Sequence, residues 1–404
     1  MLFLAELYII TKVIILKEKG MQAVHRHHGH HHVIHNILDA IGHFIKKNFV
    51  LVIAFCLAVG TSIVVPPDAK YLGYFDLKTL TCLFCTLAVV CALKNVKFFT
   101  VLATKIVKLF KNTRAVIIAL VYVTFIGSML IANDMALLTF LPLGFIVLSS
   151  TGQKKLMAFT FIMQNIAANL GGMLTPFGNP QNLYLYSYFN IPTGEFMLTM
   201  LIPFLASVTL ITICCLFVKK QPLILEQETV ALPKVRTVIY GVLFALSIII
   251  VFRLIPYWIG LIVIPIALLF MDRRALKQVD YPLLLTFVCF FIFAGNMARI
   301  GVIERFLSGL MYKNPLIVSA FSCQAISNVP SAILLSKFTL SWQALLVGVN
   351  IGGCGTLISS LASLITFREY VKHNPGKTLK YVGLFSAFNF GFLIILIGIS
   401  LLIL

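Results

Sequence analysis

Hydrophobic residues along this chain come in long runs rather than in alternation. Asn48 to Val65, Leu77 to Leu93, Ala115 to Leu130, Met135 to Leu148, Glu195 to Val218, Val238 to Leu254, Trp258 to Met271, Tyr281 to Met297 and Tyr381 to Leu404 are apolar, with short polar stretches between them. Repeated runs of about 18 residues mark membrane-crossing helices, and the period-two alternation of a membrane β-barrel is missing. The pattern predicts an all-α polytopic membrane protein. Between Lys94 and Arg114 the pattern changes. Phe98-Phe99, Val101-Leu102 and Ile106-Val107 recur at helical spacing among lysines, which predicts an amphipathic helix in the interface, on the cytoplasmic side. Arg299 to Leu307 reads as a second amphipathic segment, with Arg299, Glu304 and Arg305 interfacial.

Two stretches do not fit plain crossings. The first is Ala115 to Leu148, interrupted by Ala132-Asn133-Asp134 and bounded by basic residues at both ends, Arg114 and Lys154-Lys155. An ionised Asp in hydrocarbon costs roughly 2.5–3.5 kcal/mol on insertion scales, so such a residue faces a cavity or the bundle interior. Two arms of about 16 residues, roughly 24 Å each, make a re-entrant hairpin with Asn133-Asp134 at its tip; two full crossings have the same parity but put the tip at the far surface. The second is Leu156 to Asn190, whose centre, Asn169 to Asn182, holds Pro176, Pro180, Gly171, Gly172 and Gly178. A regular lipid-facing helix cannot hold these residues, and irregular backbone is tolerated where it lines a polar cavity.

Both features recur. Ser327-Asn328-Val329-Pro330 reads as a second hairpin tip, and Asn169-Leu170-Gly171-Gly172-Met173-Leu174-Thr175 matches Asn350-Ile351-Gly352-Gly353-Cys354-Gly355-Thr356 at Asn, both Gly and Thr. Each half runs from a span entered at an aspartate (Asp76, Asp280) through an amphipathic segment, a hairpin and a broken helix to a final span. The domain organisation expected is a cytosolic segment 1–47, a first transmembrane half 48–218, a cytoplasmic linker 219–236 and a second half 237–404. Counting crossings from a cytoplasmic amino terminus brings the two hairpins in from opposite sides, so the repeats are expected to be inverted, the architecture of alternating-access carriers.

Composition sharpens this. Charged residues are 11% of the chain against the roughly 25% of soluble domains. The formal charge of +19 lies in short segments between spans, as cytoplasmic loops require, so no nucleic-acid partner is expected. The nine cysteines sit almost wholly in apolar runs and read as buried, inert thiols. Eight of the nine histidines fall between His25 and His43. His27, His28, His30, His31 and His32 suit a transition metal, but no acidic or thiol ligand accompanies them, and a tail whose charge varies with pH is the plainer reading. Leu2 to Leu16 is too short to span; it fits an interfacial helix or an extension ahead of a start at Met21.

Residues 48–404 resemble the ion transporter superfamily of divalent anion:sodium symporters, citrate carriers, arsenite permeases and sodium–proton antiporters. Ala132-Asn133-Asp134 with Pro142, Asn328-Val329-Pro330, and Gly348 to Gly353 with Ser359 to Ala362 resemble the arsenite-permease branch. Gly178-Asn179-Pro180-Gln181-Asn182-Leu183 looks more like the anion and antiporter branches. The dicarboxylate symporters carry Ser-Asn-Thr at both tips, a pattern absent here. The resemblance implies a homodimer in the cell membrane that moves a small molecule or inorganic ion without a cofactor.

The chemistry of the residues assigns roles within that frame. Asn133 and Asn328, with Ser327, are expected to face each other and bind substrate. Thr175, Gly178, Asn179 and Asn182 with Thr356, Ser359 and Ser360 supply hydroxyls, carbonyls and helix N-termini. Asp134, with Asn133, Asn169, Asn350 and Gly353, is assigned to a coupling ion, as a proton carrier or as a hard-oxygen ligand for sodium; a neutral substrate and a capping role for Asp134 are the competing readings. Cation-coupled transport of a small carboxylate or oxyanion is the function expected. Arsenite efflux and sodium–proton exchange are alternatives, and a passive channel is an alternative of a different class. An intramembrane enzyme needs a nucleophile–base pair or paired carboxylates, and the spans offer only Asp134.

Overall fold

A computed structural model describes residues 48–222 and 231–404. The expected segment 1–47, with its histidines, and residues 223–230 of the expected linker lie outside the described residues. Helix α1 (Phe49–Val64) runs into a compact unit that comprises Ile53–Leu404. Among the described residues there is no strand, only an isolated bridge between Asn112 and Pro222.

In the first half, α2 (Leu77–Asn95) follows a 3-10 turn at Ala69–Tyr74 and is capped by Asp76, whose Oδ1 accepts from Thr79 N at 3.0 Å. The amphipathic α3 (Phe98–Lys108) comes next. Asn112 then caps α4 (Thr113–Ile131), which turns at Ala132 into α5 (Asn133–Ser150). Helix α6 (Met157–Gly171) breaks after Gly171, the chain resumes as the short α7 (Pro180–Tyr188), and α8 (Thr193–Leu216) closes the half.

The second half opens with α9 (Lys234–Val251), α10 (Tyr257–Met271) and the short α11 (Arg273–Lys277), all of which pack on α2. The order of the first half then returns. Asp280 caps α12 (Tyr281–Met297), with Oδ1 accepting from Leu283 N at 3.0 Å. The chain bends by 98° into α13 (Gly301–Lys313), an amphipathic helix with Glu304, Arg305 and Lys313 on it. Asn314 caps α14 (Pro315–Ile326), which turns at Ser327 into α15 (Asn328–Leu335). Helix α16 (Trp342–Ile351) breaks, α17 (Leu361–His373) resumes, and α18 (Thr378–Ile403) ends the chain.

Among the described residues six helices, α2, α4, α5, α8, α9 and α18, are long and apolar enough to cross a bilayer. The hairpin arms depart from the expected length. At 19 and 18 residues, α4 and α5 span about 28 and 27 Å, so length alone does not make them re-entrant. The second hairpin is much shorter: its arms of 12 and 8 residues reach about 18 and 12 Å. What fixes both turns inside the protein is packing, since Asn133 and Asn328 are each only 4% exposed. All nine cysteines are free, and most are buried, but Cys56 is exposed on α1.

The 3-10 turn is tied to the α12–α13 bend. Arg299 donates from both terminal nitrogens to Asp68, at 3.0 and 2.7 Å, and to Tyr74 Oη at 3.1 Å. The guanidinium holds the exposed Asp68 carboxyl below its usual range, chiefly through these hydrogen bonds.

Candidate functional site

Four interruptions of helix meet in one place, two hairpin turns and two helix breaks. The turn residues share one conformation, Ala132 at φ 65°, ψ 154° and Ser327 at φ 71°, ψ 161°. That region is almost confined to glycine, and holding another residue there costs about 1–3 kcal/mol. Each turn has the same local result. Asn133 Oδ1 accepts from Asp134 N, and Asn328 Oδ1 accepts from Val329 N, both at 2.9 Å. The side-chain oxygens are thereby used at their own helix starts, and the Nδ2 groups are turned toward the breaks.

Both tips lead to Gly353, the first of them through Asn169. Asn133 Nδ2 donates to Asn169 Oδ1 at 3.1 Å, and Asn169 Nδ2 donates to Gly353 O at 3.3 Å. Asn328 Nδ2 stands 3.4 Å from where a Cβ on Gly353 would lie, and Asn328 N donates to Ser359 O at 3.0 Å. The two tip asparagines do not hydrogen-bond each other; Asn169 and Gly353 lie between them.

The breaks are laced together reciprocally. Asn169 Oδ1 also accepts from Ser360 Oγ at 2.8 Å. Asn350, its counterpart on α16, accepts from Asn179 Nδ2 at 3.2 Å and Gln181 Nε2 at 3.3 Å, and donates to Asn182 Oδ1 at 2.6 Å. Asn179 and Ser360 are the residues just ahead of α7 and α17. Each half's asparagine is therefore held by the helix start beyond the other half's break.

Each break is also pinned to its own hairpin in the same way. Thr175 Oγ1 donates to Met129 O and Thr356 Oγ1 to Gln324 O, both at 3.1 Å, and each acceptor lies three residues before its turn. Asn182 Nδ2 donates to the carbonyls of Gly172, Met173 and Thr175, while Ser359 Oγ donates to those of Gly353 and Thr356. These bonds satisfy carbonyls that the broken helices leave free. Gly172 and Gly178 meet across the first break, and a Cβ on Gly172 would stand 2.7 Å from Gly178 O.

The expected site residues Asn133, Ser327, Asn328, Asn169, Thr175, Gly178, Asn179, Asn182, Asn350, Gly353, Thr356, Ser359 and Ser360 thus share one network. Two members carry no role in the sequence reading. Gln181 donates to Asn350, and Gln324 donates to Gly352 O and Cys354 O while accepting from Thr356 N. A lone amide on the apolar arm of a hairpin was a signal for Gln324. The Asp134 carboxylate stands apart from the network in the first turn of α5, where a helix dipole favours negative charge. It does not cap the helix, and its Oδ1 is buried with no hydrogen-bond partner among the described residues. Asn179 Oδ1 and Gln181 Oε1, at the start of α7, are buried and unpartnered as well. Among the described residues no cluster of three His, Cys, Asp or Glu residues forms. A separate apolar groove of about 430 Å³ lies between α13, α14 and α15, away from these amides.

The family model described as Citrate transporter covers residues 37–345. The chain belongs to the citrate transporter family. A relative from Methanocaldococcus jannaschii, Uncharacterized transporter MJ0456, is 34% identical over 292 residues, 72% of this chain and 80% of its own length. Inner membrane protein YbiR of Escherichia coli K12 is 29% identical over 283 residues, 67% of this chain and 74% of its own length. This member of the citrate transporter family is a multi-pass membrane protein and a secondary transporter.

Proposed function

We propose that the chain carries a small anion, a carboxylate or oxyanion, across the plasma membrane by alternating access, driven by Na⁺ or H⁺. The observation that carries this reading is the pairing of two strained tips with two breaks on one asparagine network. Two strained turns held at equivalent places are the kind of feature retained for a site. The tip amides and the starts of α5, α7, α15 and α17 offer donors and positive helix ends to an anion. Asp134 takes the coupling cation, because an unpaired carboxylate beside an anion repels it unless protonated or cation-bound. The unfilled oxygens of Asn179 and Gln181 belong to the same task. Matching caps, turns and threonine bonds support two structural repeats, which we propose are inverted, with the amino terminus cytoplasmic, halves at 48–218 and 237–404 and two chains to the working unit.

Purified protein in liposomes tests this with citrate, a dicarboxylate and sulfate under imposed Na⁺ or pH gradients. Accumulation of one anion above equilibrium, abolished when the gradient is collapsed, is the expected result. Ion current without a saturable anion dependence identifies a channel instead. The unpaired Asp134 also suits exchange of Na⁺ for H⁺ with no anion, and that activity appears in the same assay as pH change without anion uptake.

A further inference from the structure

The start of α4, the end of α5 and the end of α8 are tied together, and all three helices are long and apolar enough to cross a bilayer. The chain just beyond α8 makes the tie. Asn112, ahead of α4, pairs with Pro222 in the isolated bridge, and Gln221 O accepts from Thr113 N at 2.9 Å and from Thr113 Oγ1 at 3.2 Å. Arg114 Nε donates to Val218 O at 2.6 Å. Gln153 Nε2, in the turn after α5, donates to Gln221 Oε1 at 3.0 Å. The chain leaving α8 is thereby laid along the base of the first hairpin.

This junction gathers charge of one sign. Lys111 and Arg114 come from the first segment, Lys154 and Lys155 from the second, and Lys219 and Lys220 from the third. The five lysines are exposed and Arg114 is half-buried. None of the six forms an ion pair among the described residues, and segments 109–114, 150–157 and 217–222 contain no acidic residue. Glu226 and Glu228 of the linker lie outside the described residues. The Lys and Arg bias of short loops accounts for cations in each segment. It does not account for hydrogen bonds that hold three such segments together with no carboxylate among them. Exposed apolar side chains border the cations in the chain, Leu109 at 75%, Phe110 at 38% and Phe217 at 82%. Clustered cations beside exposed apolar groups, at the ends of membrane-length helices, match an acidic headgroup above and acyl chain below.

We propose that this junction is a binding site for an anionic phospholipid of the surrounding leaflet. Its phosphate is held by the six cations, and its acyl chains lie against Leu109, Phe110 and Phe217. The bound lipid braces the base of the first hairpin against the chain that leads into the second half. The site stands whichever solute the protein carries.

The test is thermal shift of the purified full chain in a neutral detergent, titrated with phosphatidylglycerol, phosphatidylcholine or soluble glycerol phosphate. Phosphatidylglycerol raises the melting temperature saturably and less so at high salt, and the other two do not. One variant replaces Lys154, Lys155, Lys219 and Lys220 by Gln, and a second replaces them by Arg. A third replaces Lys70, Lys277, Lys313 and Lys377 by Gln, four exposed lysines on other segments, and so removes the same net charge. A cation at an anionic surface is worth about fivefold in affinity, so the first variant needs at least about tenfold more phosphatidylglycerol for its half-maximal shift. The second and third respond as wild type does. Equal shifts with phosphatidylcholine overturn the proposal, as does an equal shift with glycerol phosphate, which marks a site for free phosphate. Equal weakening in the third variant assigns the effect to overall charge and overturns it too. A first variant that melts lower without lipid, yet responds to phosphatidylglycerol as wild type does, assigns the cations to the protein's own linker glutamates and also overturns it.

Discussion

Replacing Asn169 by Ala removes the residue that joins the first hairpin tip to the second break. Three hydrogen bonds are lost, from Asn133 Nδ2, from Ser360 Oγ and to Gly353 O. Asn133 and Ser360 are 4% and 1% exposed, so water cannot replace the lost partner. Interhelical hydrogen bonds within membranes average about 0.6 kcal/mol and reach about 1.7. Three of them put the expected loss at about 2–5 kcal/mol. Ser360→Ala removes the donor of one of those same three bonds, Ser360 Oγ to Asn169 Oδ1. The double variant is therefore expected to lose less than the sum of the singles, by about 0.5 kcal/mol or more. Reversible denaturation in mixed micelles, in a Trp258→Phe background and followed by the fluorescence of Trp342 at the first turn of α16, reads both quantities. Thr209→Ala is the control, since that hydroxyl is exposed and bonds only its own helix at Leu205 O. An Asn169→Ala protein within 0.5 kcal/mol of wild type, or strict additivity with Ser360→Ala, would refute the account of the breaks as mutually supporting.

Further outcomes follow from the same geometry. Gly172→Ala is expected to cost about 1–3 kcal/mol and to abolish uptake, because its Cβ meets the Gly178 carbonyl, whereas Gly194→Ala has open space and leaves melting temperature and uptake near wild type. Ala132→Gly relieves a turn at φ 65° and raises the melting temperature, an increase that a relaxed turn would not give. The Asp68–Arg299 pair gives a pH signature. Because the folded carboxyl titrates below its usual 3.8, the pair's contribution is present above that pH and is lost as pH falls through the folded value. Both groups are exposed and the effect is small; comparing melting temperatures of wild type and Asp68→Asn from pH 6 to pH 3 detects it, and parallel curves would contradict it.

Much of the fold was legible because apolar runs and breakers act locally. Tyr281–Met297 is a helix over the stretch its hydropathy marks, and the aspartates ahead of α2 and α12 are caps, as short acidic residues before apolar runs tend to be. The repeated Asn-x-Gly-Gly-x-x-Thr marked both breaks, since glycine pairs and a hydroxyl answer the needs of interrupted backbone. Hairpin arm lengths were not legible. The α4 arm extends to Thr113 because Asn112 caps it ahead of the basic Arg114, a choice made by a side-chain bond and not by hydropathy. The reciprocal crossing of Asn169 and Asn350 was invisible because it joins residues 191 and 171 positions from their partners Ser360 and Asn179.

The central claim is that the anion is held by the tips and the cation by Asp134. Its most direct measurement is anion accumulation in liposomes under an imposed cation gradient, comparing wild type with Asp134→Asn. Asp134→Asn keeps the shape of the first turn and removes the charge. The account predicts that it still binds anion and equilibrates it, but no longer concentrates it when the gradient is applied. Gradient-driven accumulation equal to wild type in Asp134→Asn would contradict it.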